Sequence, residues 1–462
     1  MEADRDYLVH PGTSRADYVG RFVTDAQGPW LEMEDGRRLL DLHSQYACTG
    51  LGHGHPKVRA ALHAAVDGLD HVSELMATET RARAAALLVE ETMAGEDWPG
   101  SVRFTCSGSE AVEAAFLFAR LYTGKPLIVT RQLAFHGWTT GAGAATTIPA
   151  LRNAFAGRDG LLRRPAVEAG VAVGPAAYCP ACIRGESDCR DGSGVLRCVA
   201  ATERFIRSLG PESVAAYVTE YWCGAAGYMV HDDYPRQIKE MTQRLGILLI
   251  DDEVISGMGR LGTWWAYQHY EVEPDLVCTA KGLTSAAVPG GAVVLSKALT
   301  SFFSDGRLDS YSTFSGHPLV VAAAKATIET MLEDGVVQRV RTRGEELGQE
   351  LNRLIDKHSC IGGVQGRGYA WSIELVRTPK TWSRWVEPDR WHHDAVDGAI
   401  AFNPSAFVAA ECEKRGVFLY SFVPNAVTLN PPLLLTDEDL SFALDVLDQA
   451  LSELDRLIEG DG

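Results

Sequence analysis

Apolar positions return along the middle of the chain in two alternating rhythms. From Asp233 to Leu245, Tyr234, Ile238, Met241 and Leu245 recur at helical spacing, and Gly246 closes the run. Ile247-Leu248-Leu249-Ile250 follows without a polar break, the pattern of a strand buried on both faces. A second buried strand is predicted from Leu276 to Ala280, after Pro274-Asp275, and a third from Arg103 to Cys106 that runs into a helix at Ser107. Short buried strands alternating with amphipathic helices predict an α/β fold with a mostly parallel central sheet flanked by helices.

The two chain ends are patterned differently, with mixed helix and strand signals and a late turn at Asn430-Pro431-Pro432. We expect a large domain over residues 66–330 and a smaller α+β domain made from residues 1–65 and 331–462. The charged stretch from Leu347 to Lys357 predicts a solvated surface helix. Neither internal repeats nor low-complexity segments occur.

Composition narrows the classes. At 462 residues the chain has room for more than one core. Hydrophobic residues make up 46% and charged residues 23%, and no apolar run reaches the ~20 residues of a membrane helix. A formal charge of -18 argues against a nucleic-acid partner, which needs clustered Lys and Arg to neutralise phosphates. The acidic start, Met1-Glu-Ala-Asp-Arg-Asp-Tyr7, lacks the pattern of a secretory signal, so a cytoplasmic location is expected. The ten cysteines are accordingly read as free thiols.

Three places carry candidate chemistry. Ser107-Gly108-Ser109-Glu110 has the Ser-x-x-Glu spacing of a capping box, and the free N–H groups and dipole of such a helix start attract an anion, commonly a phosphate. Asp251-Asp252-Glu253 lies at a strand end, where ligands of open α/β sheets bind; three adjacent carboxylates would repel one another unless something cationic stood nearby. Lys281 follows the next strand in Thr279-Ala280-Lys281-Gly282, and a lysine desolvated there gains the neutral, nucleophilic form that a Schiff base requires. Any one of these has an ordinary structural explanation. A phosphate cradle, an acid cluster and a strand-end lysine in this order describe a pyridoxal phosphate site.

Together with further motifs, these residues resemble the class III (ω-) aminotransferases of fold type I over nearly the whole chain. Asp41-Leu-His-Ser-Gln45 with Leu51-Gly-His-Gly-His-Pro56, Ser107-Gly-Ser-Glu-Ala111 and Ala134-Phe-His-Gly137 are similar to successive family motifs. The most specific series runs from Leu248-Leu-Ile-Asp-Asp-Glu-Val254 through Gly257-Met-Gly-Arg-Leu-Gly262 and Pro274-Asp275 to Ala280-Lys-Gly282, with Thr313-Phe-Ser-Gly-His-Pro318 and Pro431-Pro-Leu433 in family order. The resemblance implies that Lys281 is the Schiff-base lysine and later the proton carrier, and that Asp252 pairs with the pyridinium nitrogen. It implies ring contacts from Val254, Phe135, His136 and Gly137, and phosphate contacts from Ser107, Gly108 and Ser109. Thr313 would reach the phosphate of a neighbouring subunit, implying a homodimer with shared sites, and Glu220 would help to order the site. The expected reaction moves an amino group between an amine or amino acid and a keto acid or aldehyde. Aminomutase, epimerase or decarboxylase chemistry on the same scaffold, and a non-catalytic relic, remain alternatives.

Several departures mark this chain. Tyr221 replaces a common proline, Phe135 a frequent tyrosine and Ile255 an occasional glutamine, and Ala286-Ala287 replaces a Gly-bulky pair. Cys179-Pro-Ala-Cys182, Cys189 and Cys198 have zinc-like spacing, but a similar insertion in a branch resembling taurine-pyruvate aminotransferases need not bind metal, so no metal is assigned. Many family members grip a carboxylate with an arginine shortly before the Pro-Pro-Leu turn; residues 416–430 contain none here, and Tyr420, Phe422 and Thr428 make that stretch aromatic. We therefore expect at least one substrate without a carboxylate at this position, with Tyr46 and Trp222 as pocket walls. Arg384 or Arg390 swinging in is the alternative.

Overall fold

The structure is a computed structural model that describes residues 2–13, 15, 18–151, 155–157, 160–162, 170–179, 189–377, 385 and 402–460. Seven strands form the central sheet in the order Pro99–Thr105, Gly291–Ser296, Leu276–Thr279, Leu248–Asp252, Val214–Thr219, Leu127–Arg131 and Val171–Gly174. Gly291–Ser296 runs antiparallel to both neighbours, and the remaining pairs are parallel. Every residue of Val214–Thr219 is buried, as expected for a strand with helices over both faces.

The alternation of side chains assigns the two faces. Ile250 packs with Ala115, Phe116 and Phe118 of the helix Gly108–Thr123, whereas Leu249 faces Ile238 and Met241 of the helix Tyr234–Leu245. Each fully buried Leu or Ile of this kind contributes roughly 1.5–3 kcal/mol. Gly246, at φ 62°, ends the second helix as its position predicted. The capping box is present with one change: Ser107 Oγ accepts from the Glu110 amide at 3.2 Å, but Glu110 Oε2 reaches back to the amide of Cys106, at 2.7 Å.

Residues from the two chain ends share a sheet. Val23–Gln27, Trp30–Met33 and Arg38–Asp41 are joined by Val417–Phe418, which lies parallel to Arg38–Asp41. Ile361–Arg367, Ala370–Leu375 and Ala426–Leu429 form a separate antiparallel sheet. The helix Val336–Lys357 packs on it through Val340, Leu347 and Leu351, so the stretch expected to be a solvated helix is apolar along its inner stripe. Among the described residues no helix is long and apolar enough to cross a membrane.

Candidate active site

The cofactor-side candidates gather where strands of the large sheet end. Asp252 closes Leu248–Asp252, Glu220 follows Val214–Thr219, and Phe135, His136 and Gly137 follow Leu127–Arg131. Lys281 opens a short turn, Lys281–Thr284, just past Leu276–Thr279, and Ser107 caps the helix that follows Pro99–Thr105. This is the edge at which open α/β sheets bind ligands.

Asp252 is buried and doubly held: Oδ2 lies 2.7 Å from His136 Nδ1, and Oδ1 accepts from the Val254 amide at 3.1 Å. The carboxylate fixes the proton of His136 on Nδ1, and Nε2 of the same ring is buried with no partner. The amine of Lys281 makes no hydrogen bond or ion pair among the described residues, although its carbonyl accepts from the Ala286 amide at 3.3 Å, and its backbone is left-handed, at φ 43°. Burial lowers the pKa of its amine, opposed by Cys48, Asp252 and Glu220. Glu220 accepts the Phe135 amide at 3.0 Å; burial raises its pKa, against the pull of His136 and Arg131.

The N–H groups of Gly108 and Ser109 have no acceptor among the described residues, as the first turn of a helix dictates. A Cβ at Gly108 would stand 3.1 Å from Val254 Cγ1 and 3.4 Å from Ala280 Cβ, so glycine keeps the cradle open. At Gly137, φ is 127° and a Cβ would fall 2.4 Å from Ser109 Oγ. Ser107 Oγ accepts in the helix cap, a role that leaves its O–H proton available. Thr313 is exposed, amid the exposed side chains of Tyr311 and Phe314.

Sequence reasoning missed several groups. Arg131 is fully buried behind Glu220, donating to the Glu220 carbonyl at 2.9 Å and to Tyr228 Oη at 3.2 Å. Its only signal was a guanidinium ending the apolar run Leu127-Ile-Val-Thr-Arg131. His43 is pushed down to about 4 by burial, with Lys281 and Arg260 adding to the effect and Asp41 opposing it. Cys48 lies within the field of Lys281 and Arg260, while burial raises its thiol.

Four consecutive non-glycine residues, Ser44 to Ala47, have positive φ, between 48° and 67°. Such a turn is strained, and it persists through bonds to its own segment and to a distant one. Ser44 Oγ donates to the Asn430 carbonyl at 2.6 Å, Gln45 Nε2 to Asp41 Oδ2 at 3.1 Å, and the Tyr46 amide to His43 Nδ1 at 3.1 Å. The turn holds Tyr46, which is 50% exposed, in a stack on Phe422 at 5.5 Å, with Tyr420 edge-on to both. Trp222 is fully buried instead, its Nε1 donating to Asn430 Oδ1 at 3.2 Å, so of the two expected walls only Tyr46 has an open face. Arg384, Arg390 and Cys182 lie outside the described residues. Cys179 and Cys189 come close enough to Cys198 to act on its charge, and no metal-holding group of His, Cys, Asp or Glu occurs among the described residues.

The residues present fit pyridoxal phosphate: free first-turn amides for a phosphate, a cradle that a Cβ would narrow, a buried carboxylate for a ring nitrogen, and an uncommitted lysine. Fold and site together define a fold type I enzyme of this cofactor. The family profile described as Aminotransferase class-III matches residues 13–451. A 4-aminobutyrate aminotransferase of Mycobacterium leprae is 30% identical over 452 residues, covering 94% of this chain and 91% of the relative. Among solved structures, an S-selective transaminase from Bacillus megaterium superposes with a TM-score of 0.92 at 36% identity, covering 98% and 97% of the two chains. A taurine:2-oxoglutarate aminotransferase from Bifidobacterium kashiwanohense, in complex with PLP and glutamate, gives 0.86 at 26% identity over 98% and 97%. The chain belongs to the class-III aminotransferases and is a pyridoxal-phosphate-dependent transaminase.

Proposed function

We propose that Lys281 is the covalent attachment point and proton carrier of the transfer, that Asp252 holds the ring nitrogen, and that at least one substrate lacks a carboxylate where many relatives carry an arginine. Pyridoxal phosphate, when bound, supplies the electron sink for breaking the bond to the substrate's amine carbon. Lys281 Nζ takes and returns the substrate proton, a task suited to an amine whose pKa burial has lowered. Asp252, aligned by His136, keeps a proton on the ring nitrogen, and Gly108 and Ser109 offer their amides to the phosphate. Val254, Phe135, His136 and Gly137 would border the ring of a bound cofactor, and Glu220 positions the Phe135 segment by accepting its amide.

The observation that carries this reading is the doubly held, buried carboxylate of Asp252 within the field of an unpartnered Lys281. Borohydride reduction of the holoenzyme followed by peptide mapping should place the pyridoxyl group on Lys281; a label on another lysine would overturn it.

The substrate reading rests on the Tyr46, Tyr420 and Phe422 wall and on the absence of arginine from residues 416–430. Amines should outperform their carboxylated analogues as donors. If glutamate or alanine proves the best donor and truncating Arg384 and Arg390 changes nothing, this part fails while the transaminase stands. We further propose a homodimer with shared sites, supported by the exposure of Thr313 beside Tyr311 and Phe314 and of Trp138, Leu75 and Met76. The division at residues 65 and 330 belongs to the same proposal. A reducing, cytoplasmic compartment fits the free thiols found at all nine described cysteines.

A further inference from the structure

Asp251 and Glu253 flank Asp252 in sequence but turn away from it in space. Successive side chains of a strand alternate, so Asp252 meets His136 while Asp251 shares the face of Leu249, under the helix Tyr234–Leu245. Asp251 has no exposed surface and Glu253 has 1%. Glu253 accepts from Ser256 Oγ and, at 3.0 Å, from the Tyr267 amide. Neither oxygen of Asp251 has a donor, and the hydroxyl of Tyr221 beside it, also fully buried, has no partner. What faces Asp251 within hydrogen-bonding range is the carboxylate of Glu253 itself.

Two buried acceptors cannot face each other in that way without something between them. The other charged or titratable groups near enough to act on the pair are Asp252, which adds negative charge from the opposite face, the phenols of Tyr221, Tyr267 and Tyr270, the thiol of Cys278, and Arg131. Tyr267 gives its hydroxyl to Glu96 at 2.9 Å. Arg131 is committed to Thr219, the Glu220 carbonyl, Tyr228 and Cys223. No metal-holding group of His, Cys, Asp or Glu exists here among the described residues.

We propose that Asp251 and Glu253 share one proton across a buried carboxyl–carboxylate hydrogen bond. The pair then carries one negative charge instead of two, which lessens the repulsion it exerts on the Asp252 carboxyl on the cofactor face. Asp251 and Glu253 are positioning residues in this scheme, acting through the field at Asp252. That consequence rests on the proposed role of Asp252, but the shared proton does not.

Burial and the neighbouring carboxylate raise Asp251 far above the usual carboxylate range, and burial raises Glu253 to about 7. An acid raised on folding contributes stability that is present below its unfolded value, near 4, and is lost as pH rises through its folded value. The test has two readouts. In the infrared spectrum of the holoenzyme, a protonated-carboxyl stretch sensitive to D2O should be present, and it should vanish in Asp251→Asn and in Glu253→Gln. Asp251→Asn replaces the shared proton with a fixed amide donor, so its melting temperature relative to wild type should climb from pH 5 to pH 9, while its turnover stays within about threefold. Asp251→Ala, which leaves Glu253 without that donor, should lose far more activity and stability, and rescue by asparagine separates a hydrogen bond from mere bulk. Absence of the infrared band in wild type, parallel stability curves for wild type and Asp251→Asn, or a cation in anomalous difference density between the carboxylates would each overturn the proposal. The wild-type band decides the matter even where a variant fails to fold.

Discussion

The two sides of the site are made by different means. On the side we propose for the cofactor, Asp252, Lys281, Glu220 and the Gly108 cradle hang from the ends of buried strands, and each is held within a few residues of the strand that delivers it. On the side we propose for the substrate, Tyr46 sits in a strained left-handed turn and leans on Phe422 and Tyr420, nearly four hundred positions away in the chain. Sheet ends give rigid placement that many chemistries can share. Contacts between chain ends can change without disturbing the sheet, which suits them to set specificity.

If that division is right, changes on the cofactor side should abolish turnover for every donor, and changes on the substrate side should reorder the donors. Lys281→Ala should reduce steady-state transamination at least ~10⁴-fold, the scale of removing a central nucleophile, while circular dichroism shows an unchanged fold. Mixing this protein with an inactive Thr313 variant should restore some activity through hybrid dimers; a monomer in solution that still turns over would break the shared-site reading.

Asp252→Asn should cost at least ~100-fold in kcat for all donors, because a neutral amide cannot hold a pyridinium charge. Near-normal turnover would transfer the role to Asp251 or Glu253. A third cofactor-side change, Gly108→Ala, puts a methyl 3.1 Å from Val254 Cγ1 and 3.4 Å from Ala280 Cβ. Overpacking of this kind costs about 1–3 kcal/mol; expressed in cofactor affinity that is about five- to a hundredfold, measurable by equilibrium dialysis. An unchanged Kd would show that the neighbours yield.

The same division explains what could be read from the chain. The strand endings at Asp252 and before Lys281, the cap at Ser107 and the stop at Gly246 are local, and period and turn chemistry reveal them. The acid cluster was legible only as three repelling charges awaiting one cation. Strand alternation resolves it differently, giving Asp252 to His136 and turning Asp251 and Glu253 to the opposite face. Arg131 behind Glu220, and His43 beside Lys281, depend on contacts between distant segments that no single-sequence pattern encodes. Nor does Ser44-Gln45-Tyr46-Ala47 contain the glycine or asparagine that would announce positive φ. The wall it presents follows from bonds to Asp41, His43 and Asn430.

The smallest expected effect is the most informative about that wall. Tyr46 contributes a half-exposed ring to the stack with Phe422, and such aromatic pairs add about 0.5–1.5 kcal/mol beyond the area they bury. Tyr46→Ala should therefore raise KM about two- to tenfold for a donor that lies against the wall, with kcat little changed. A small aliphatic donor that cannot span the distance to the ring should be indifferent. Tyr46→Phe should behave as wild type, since stacking needs the ring face and the hydroxyl has no hydrogen bond to lose among the described residues. An equal rise in KM for every donor would mean that the turn supports the site as a whole through its bonds to Asp41 and Asn430. A fall in kcat without change in KM would move Tyr46 from specificity to the chemistry at Lys281, and the division between the two sides of the site would not hold.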